Sequence, residues 1–218
     1  MTDHPDQVIR RRVEICRERR GIVDADAEAI LDAHHHMELV GDVGVSDQHH
    51  ADVLMRAVKI AREIDDGVLA AALEDRDAAE AVVRWINRNY DNPESNRSYR
   101  QALRAFGRHS LGVDDLPDCL DWVPGGYPSN YDPAPNPSDM LHWEAHVKPM
   151  LDACMNVRDE ALIALCWDLG ARTSELYELK IGDIADSEYG LKVSIENGKN
   201  GSRSPTIIKS VPYLRDWI

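Results

Sequence analysis

The chain has 218 residues, 43% hydrophobic and 29% charged, enough for one large or two small domains with a real buried core. It contains no run of roughly 18 apolar residues, which excludes a membrane-spanning helix, and its polar, acidic start lacks the apolar segment of a signal peptide. With 39 acidic against 25 basic residues the net charge is −14, which argues against nucleic acid as a partner of the bulk surface and leaves that role to local basic patches.

In chain order, residues 1–20 carry a basic cluster, "IRRRVEICRERR", readable as a short helix or a frayed arm. The stretch "DADAEAILDAHHHMELVG" opens on Asp24 as an N-cap, places Ala27, Ile30, Leu31 and His34 at helical spacing and stops at Gly41. A second helix is predicted from 46 to about 64, with Leu54, Ala57, Val58 and Ala61 on one face. A third covers about 67–90, broken near Asp75, with Ala79, Val82, Val83 and Ile86 facing inward. A fourth spans about 94–111. Residues 21–112 thus read as an all-helical domain of four or five helices. Residues 113–140 change character: a run of prolines with Gly125 and Gly126 rules out long helices and central strands. This segment reads as a linker from which Trp122 or Tyr131 can pack on a neighbouring domain.

Periodicity returns at 141 and continues to 218. "HWEAHVKPMLDAC" reads as a helix containing Pro149, or a turn leading into one. "RDEALIALCWDLG" puts Ala161, Leu162, Leu165, Cys166 and Leu169 on one face and ends at Gly170. "TSELYELK" is a short helix capped by Thr173 or Ser174. Leu191, Val193 and Ile195 alternate as a half-buried strand, "NGKNGS" carries two Asn-Gly turn signals, and "SPTIIKS" returns as a second strand. "SVPYLRDWI" starts a last helix with Pro212 in its first turn, and the expectation is a truncated sequence, because the chain stops inside that helix. The fold class expected is mainly α with a small β-hairpin or sheet. Four cysteines, Cys16, Cys119, Cys154 and Cys166, form no C-x-x-C pair; Cys154 and Cys166 are expected on apolar helical faces, as reduced thiols of a cytoplasmic protein.

Several residues are candidates for chemistry. On the fourth helix, Arg97, Arg104 and Arg108 point in nearly one direction with Arg100 beside them, while Tyr99, Ala102, Leu103 and Phe106 point the opposite way. Such a stripe is an electrostatic footprint for a phosphate backbone. The plainer reading, a solvated face balanced by acids elsewhere, is weakened because the stripe contains no acid. His34, His35 and His36, with His49 and His50, suggest a metal at first sight, but adjacent histidines on a helix diverge by about 100° and no tetrahedral spacing emerges; they read as surface or boundary residues. No G-x-x-x-x-G-K-[ST], G-x-S-x-G or H-E-x-x-H occurs, so nucleotide hydrolases, serine esterases and zinc proteases lose weight. Taken alone, Arg172 is an arginine at a helix start that can pair with Glu175, and Lys199 is a solubility residue at a hairpin tip.

Their order along the chain adds something. An apolar helix, Gly-x-Arg-x-x-Glu-Leu, a short helix, Asp-Ile, a strand and Gly-Lys in a hairpin resemble the first half of the catalytic domain of the tyrosine recombinases, the phage-integrase family. "RDEALIALCWDLGARTSELYELKIGDI" is especially similar to archaeal integrases. The resemblance covers about residues 141–218, which would be the first part of an α+β catalytic domain. The helical domain before it is similar in architecture to the family's SAM-like core-binding domain. The resemblance implies that Arg172 is the first catalytic arginine, Lys199 the hairpin lysine that protonates the leaving 5′-oxygen, and Glu175 the acid that supports the arginine. Arginine's rigid fork suits two non-bridging oxygens of a pentacoordinate phosphorus, and Arg203 is placed to touch backbone phosphate near the hairpin. Also implied are double-stranded DNA as partner, a tetramer on DNA, and no metal or nucleotide cofactor. The family's His-x-x-Arg box, later His or Trp and tyrosine nucleophile are absent from these residues; Tyr177 and Tyr213 do not occupy the nucleophile's place. The chain alone is therefore expected not to cleave DNA. Two other readings remain: a non-catalytic DNA-binding module derived from a recombinase, and a helical interaction protein with no DNA partner. The Asp-rich surface with six lysines resembles that of a halophile and is also compatible with an ordinary acidic protein.

Overall fold

Polar side chains set three of the helix starts in the first part of the chain. Ser46 Oγ accepts from the His49 N–H, Asp75 from Asp77, and Asn92 from both Glu94 and Ser95. The computed structural model describes residues 4–64, 67–132, 134–198 and 201–218 and divides into two units, Met1–Asp132 and Pro133–Ile218.

The first unit holds α1 (Pro5–Arg17), α2 (Asp24–Gly44), α3 (Asp47–Glu63), α4 (Val68–Ala71), α5 (Arg76–Asn89), α6 (Pro93–Leu111) and α7 (Asp118–Asp121). Its core is built from Ile30 and Met37 of α2, Leu54 and Val58 of α3, Val82 and Ile86 of α5, and Leu103 and Phe106 of α6. Of the two readings of the basic start, helix or frayed arm, the helix is found: Val13, Ile15 and Cys16 are buried in the core of this unit, Arg10, Arg11 and Arg17 are exposed, and Arg12 is half-buried. Residues up to 132, read as linker, belong to this unit: Leu120 and Val123 are fully buried in its core. Leu120 packs closely on Gly107: a Cβ there would overlap its Cδ1, so one of the two side chains would have to shift. Asp26, itself buried, reaches from α2 to accept from the Ala70 N–H at 2.7 Å, tying down α4.

The second unit begins with a 3-10 turn (Pro137–Asp139) and a π turn (Trp143–Val147) leading into α8 (Lys148–Asp152). There follow α9 (Val157–Leu169), α10 (Thr173–Glu178), a second 3-10 turn (Ile181–Asp183), strands β1 (Ile184–Ser187), β2 (Gly190–Val193) and β3 (Thr206–Ile207), and α11 (Val211–Trp217). The strands form an antiparallel sheet in the order β1-β2-β3, with Ile184 opposite Val193 and Leu191 opposite Ile207. The bridge Ile195–Arg203 extends the β2–β3 ladder toward the hairpin tip. Strand β1 has no counterpart in the sequence reading; "IADS" is too short and too polar to alternate. The buried residues of α9 are Ala161, Leu165 and Leu169, packed on Leu191, Val193, Ile207 and Leu214, and Ala164, packed on Val147 and Leu151. Leu162 and Cys166, expected on that face, are exposed: the helix is apolar nearly all round, so spacing alone does not choose the side. Asp168 Oδ2 accepts from the Ile208 N–H, the Ser210 N–H and the Ser210 hydroxyl at 2.7–2.9 Å, pinning the β3–α11 turn to α9.

The protein is thus mainly α with a small three-stranded sheet. No helix among the described residues is long and apolar enough to cross a membrane.

Candidate functional site

Helix α9 ends because Gly170 adopts the left-handed conformation, φ 56° and ψ 30°, which a residue with a Cβ adopts only under strain. The chain turns at once, and Arg172, extended at φ −70° and ψ 156°, is the N-cap of α10, one residue before the caps expected at Thr173 or Ser174. Glu175, in the first turn, reaches back: its Oε2 accepts from the Arg172 N–H at 2.9 Å and its Oε1 from Arg172 Nη1 at 3.1 Å. From the sheet, Arg203 Nη1 and Nη2 grip the same carboxylate at 3.0 and 2.6 Å. Glu175 therefore accepts four hydrogen bonds with its side chain 2% exposed. The bonds from Arg203 first, then that from the Arg172 backbone, hold its pKa down to about 2, and the Arg203 guanidinium is raised in turn.

Among the described residues the Arg172 guanidinium is bound through one Nη, to Glu175, and the side chain remains 49% exposed. It lines an open cleft of about 500 Å³ with Gly170, Gly201, Ser202 and Arg203. Two guanidinium groups against one carboxylate leave one positive charge in excess on this side. A second concavity bordered by Glu175, about 170 Å³, is lined by Glu178, Asp183 and Glu196 with Lys180 and carries a net negative charge. Lys199 lies outside the described residues; the glycines flanking that segment are beside the site, Gly201 lining the cleft and Gly198 packed near Arg203 and Glu175. Arg203, expected at a phosphate, has both Nη atoms on Glu175 and 35% of its side chain exposed, so its fork positions the carboxylate.

The helix α6 stripe lies in the first unit. Its opposite face, Ala102, Leu103, Ala105 and Phe106, is buried. Among the described residues the arginine–carboxylate pairs of this unit involve Arg19, Arg20, Arg56, Arg76 and Arg84, and none of the four stripe arginines. The stripe is not uniform. Arg104 Nη1 donates to the carbonyls of Asp121 and Val123, Arg97 lies over the Tyr127 ring at 4.5 Å, and Arg97 and Arg100 each keep a buried Nε without an acceptor. Among the described residues Arg100 and Arg108 form no ion pair with a carboxylate, and Arg108 lies near His49 and His109, whose protonation it opposes.

Of the histidines read as surface or boundary residues, His35 and His49 are exposed and His36 is half-buried, whereas His34 and His50 are inside. His34 and His50 are buried and face each other, Nδ1 to Nε2, at 3.0 Å, and His36 and His109 meet through their Nδ1 atoms at 3.0 Å. Burial first, then the neighbouring imidazole, push His50 and His109 down to about 4. Each pair has room for one bridging proton, so one ring must accept. No group of three or more His, Cys, Asp or Glu among the described residues could hold a metal ion. Sequence reasoning missed Asp168 and Tyr127, whose partners lie 42 and 30 residues away from them in the chain.

No protein-family model matches this sequence, and no curated protein or solved structure matches the chain significantly.

Proposed function

We propose that this chain is a double-stranded-DNA-binding protein of the tyrosine-recombinase type. In this reading the first unit is a SAM-like core-binding domain, and the second presents Arg172 to a backbone phosphate. The observation that carries the reading is the cleft beside Gly170: a half-exposed guanidinium with its rotamer fixed by a buried carboxylate, which a second arginine clamps in turn. A phosphate in the cleft would receive charge-assisted hydrogen bonds from Arg172 Nε and Nη2 without any need to reorganise the site. Glu175 and Arg203 act as positioning residues, and Lys199 on the adjoining hairpin would supply the proton to a leaving 5′-oxygen. The same reading assigns self-association on DNA, and an acidic surface suited to molar salt.

A second reading, a non-catalytic DNA-binding module derived from a recombinase, uses the same cleft and the same arginine stripe without strand cleavage. Both readings require duplex binding, and one experiment tests it. Fluorescence anisotropy with a labelled genomic duplex in about 1 M KCl should detect binding. Arg172→Ala should weaken it about tenfold, as loss of a charge-assisted bond implies, and Arg172→Lys should restore part of it. Arg108→Ala should weaken it separately. If wild-type protein leaves the duplex free from 0.1 to 2 M KCl, the DNA reading is wrong and the helical interaction protein takes its place.

A further inference from the structure

The chain beyond α7 lies along α6 in two sections held in different ways. Up to 123 it is anchored, with Leu120 and Val123 fully buried and Leu120 seated against Gly107. The carbonyls of Asp121 and Val123 hold Arg104, which makes that arginine part of the anchor. Beyond Val123 the character changes. The sequence "PGGYPSNY" at 124–131 is mostly exposed and buries no apolar side chain. Three polar contacts hold it to α6: Gln101 Nε2 donates to the Gly125 carbonyl at 3.0 Å, Arg97 lies over Tyr127, and the Tyr131 hydroxyl donates to Glu94 at 3.2 Å.

We propose that residues 124–131 are a displaceable flap that masks Arg97 in the free protein and leaves α6 when a polyanion engages the stripe. The inference rests on the DNA-binding reading for its natural ligand and on geometry for the flap itself. Arg97 has exchanged hydration for a ring face while its Nε stays buried without an acceptor. A cation over an exposed ring is held more weakly than a guanidinium on phosphate oxygens, so a phosphate displaces Tyr127. Gly125 and Gly126 let the segment hinge next to the anchor at Val123. Arg97 is then the conditional contact of the stripe, Arg104 a structural one, and Arg100 and Arg108 the permanent ones.

Tyr127→Ala removes the ring from an exposed position and should leave the fold intact by circular dichroism. It should bind duplex about three- to tenfold more tightly than wild type. The slope of log affinity against log salt should steepen by about one, the phosphate contact that Arg97 gains. Adding Arg97→Ala should cancel both changes. Equal or weaker binding by Tyr127→Ala, or a gain that survives Arg97→Ala, overturns the flap. Hydrogen exchange at 124–131 with an inorganic polyphosphate chain separates the two proposals. Faster exchange with polyphosphate, in a protein that ignores duplex, supports the flap and removes the DNA reading. Binding of either polyanion with unchanged exchange overturns the flap alone, and binding of neither overturns both.

Discussion

Glu175 carries the geometry of the cleft because it is shared. Arg172 alone, three residues upstream, would be an ordinary helix-start pair; Arg203, 28 residues downstream, turns the carboxylate into a fixed support. Its depressed pKa sets a pH dependence. A carboxylate held below its unfolded value stabilises the fold fully above that value, 4.5, and the contribution is lost as pH falls through about 2. Glu175→Gln should therefore melt several degrees below wild type at pH 6, and the two melting curves should converge near pH 2 in thermal scans by circular dichroism. Arg203→Lys keeps a charge and loses the fork, so it should weaken duplex binding several-fold although lysine retains the positive sign. If Arg203→Lys binds like wild type, the clamp has no part in setting Arg172.

At the level of elements, the joints between helices and sheet are where sequence and structure part. Asp168 is one such joint: a single carboxylate oxygen satisfies two backbone N–H groups and a hydroxyl at the start of α11. Asp168→Ala leaves these donors without their acceptor and should cost on the order of 2 kcal/mol, read by urea unfolding. Gly107→Ala puts a methyl group into Leu120 and should cost about 1–3 kcal/mol through overpacking, unfolding the first unit earlier. What was legible in the sequence was local. The helix start at 46 and the break near Asp75 follow residues beside them, Gly170 stops α9, and the Asn-Gly pairs lie between the strands β2 and β3, whereas Asp24, expected as an N-cap, lies inside α2 behind Val23, where no side chain caps the helix. What was not legible needed partners far along the chain. The charges of α1 hide the apolar Val13, Ile15 and Cys16 that dock it, and the prolines around α7 hide Leu120 and Val123. In the site, the Arg172–Glu175 pair is written in a three-residue spacing, whereas the second arginine on that carboxylate depends on the sheet register that places Arg203 opposite Ile195. The histidine tract conceals its pairs for the same reason: His50 and His109 come from other helices.

For the whole molecule, the imidazole pairs and the net charge govern the response to solution conditions. His50 and His109 titrate near 4 in the fold against about 6.5 in the unfolded chain, so the unfolded state binds more protons between these values. Stability is full above about 6.5 and falls as pH drops toward 4, by on the order of 3 kcal/mol for a ring held near 4. His50→Gln should flatten that part of the stability profile measured by urea unfolding. A net charge of −14 repels itself over a Debye length of about 10 Å at 0.1 M salt and about 3 Å at 1 M. Raising KCl across that range should therefore raise the melting temperature, and a fall would count against the reading of this surface as suited to molar salt. The most direct measurement of the central claim, that Arg172 is aimed at a phosphate, is the side-chain Nε–Hε resonance of Arg172 during titration with duplex DNA. This signal should shift and be protected from exchange with water as duplex is added, in step with binding. A duplex that binds while the Arg172 Hε signal stays where it is in the free protein would contradict that claim.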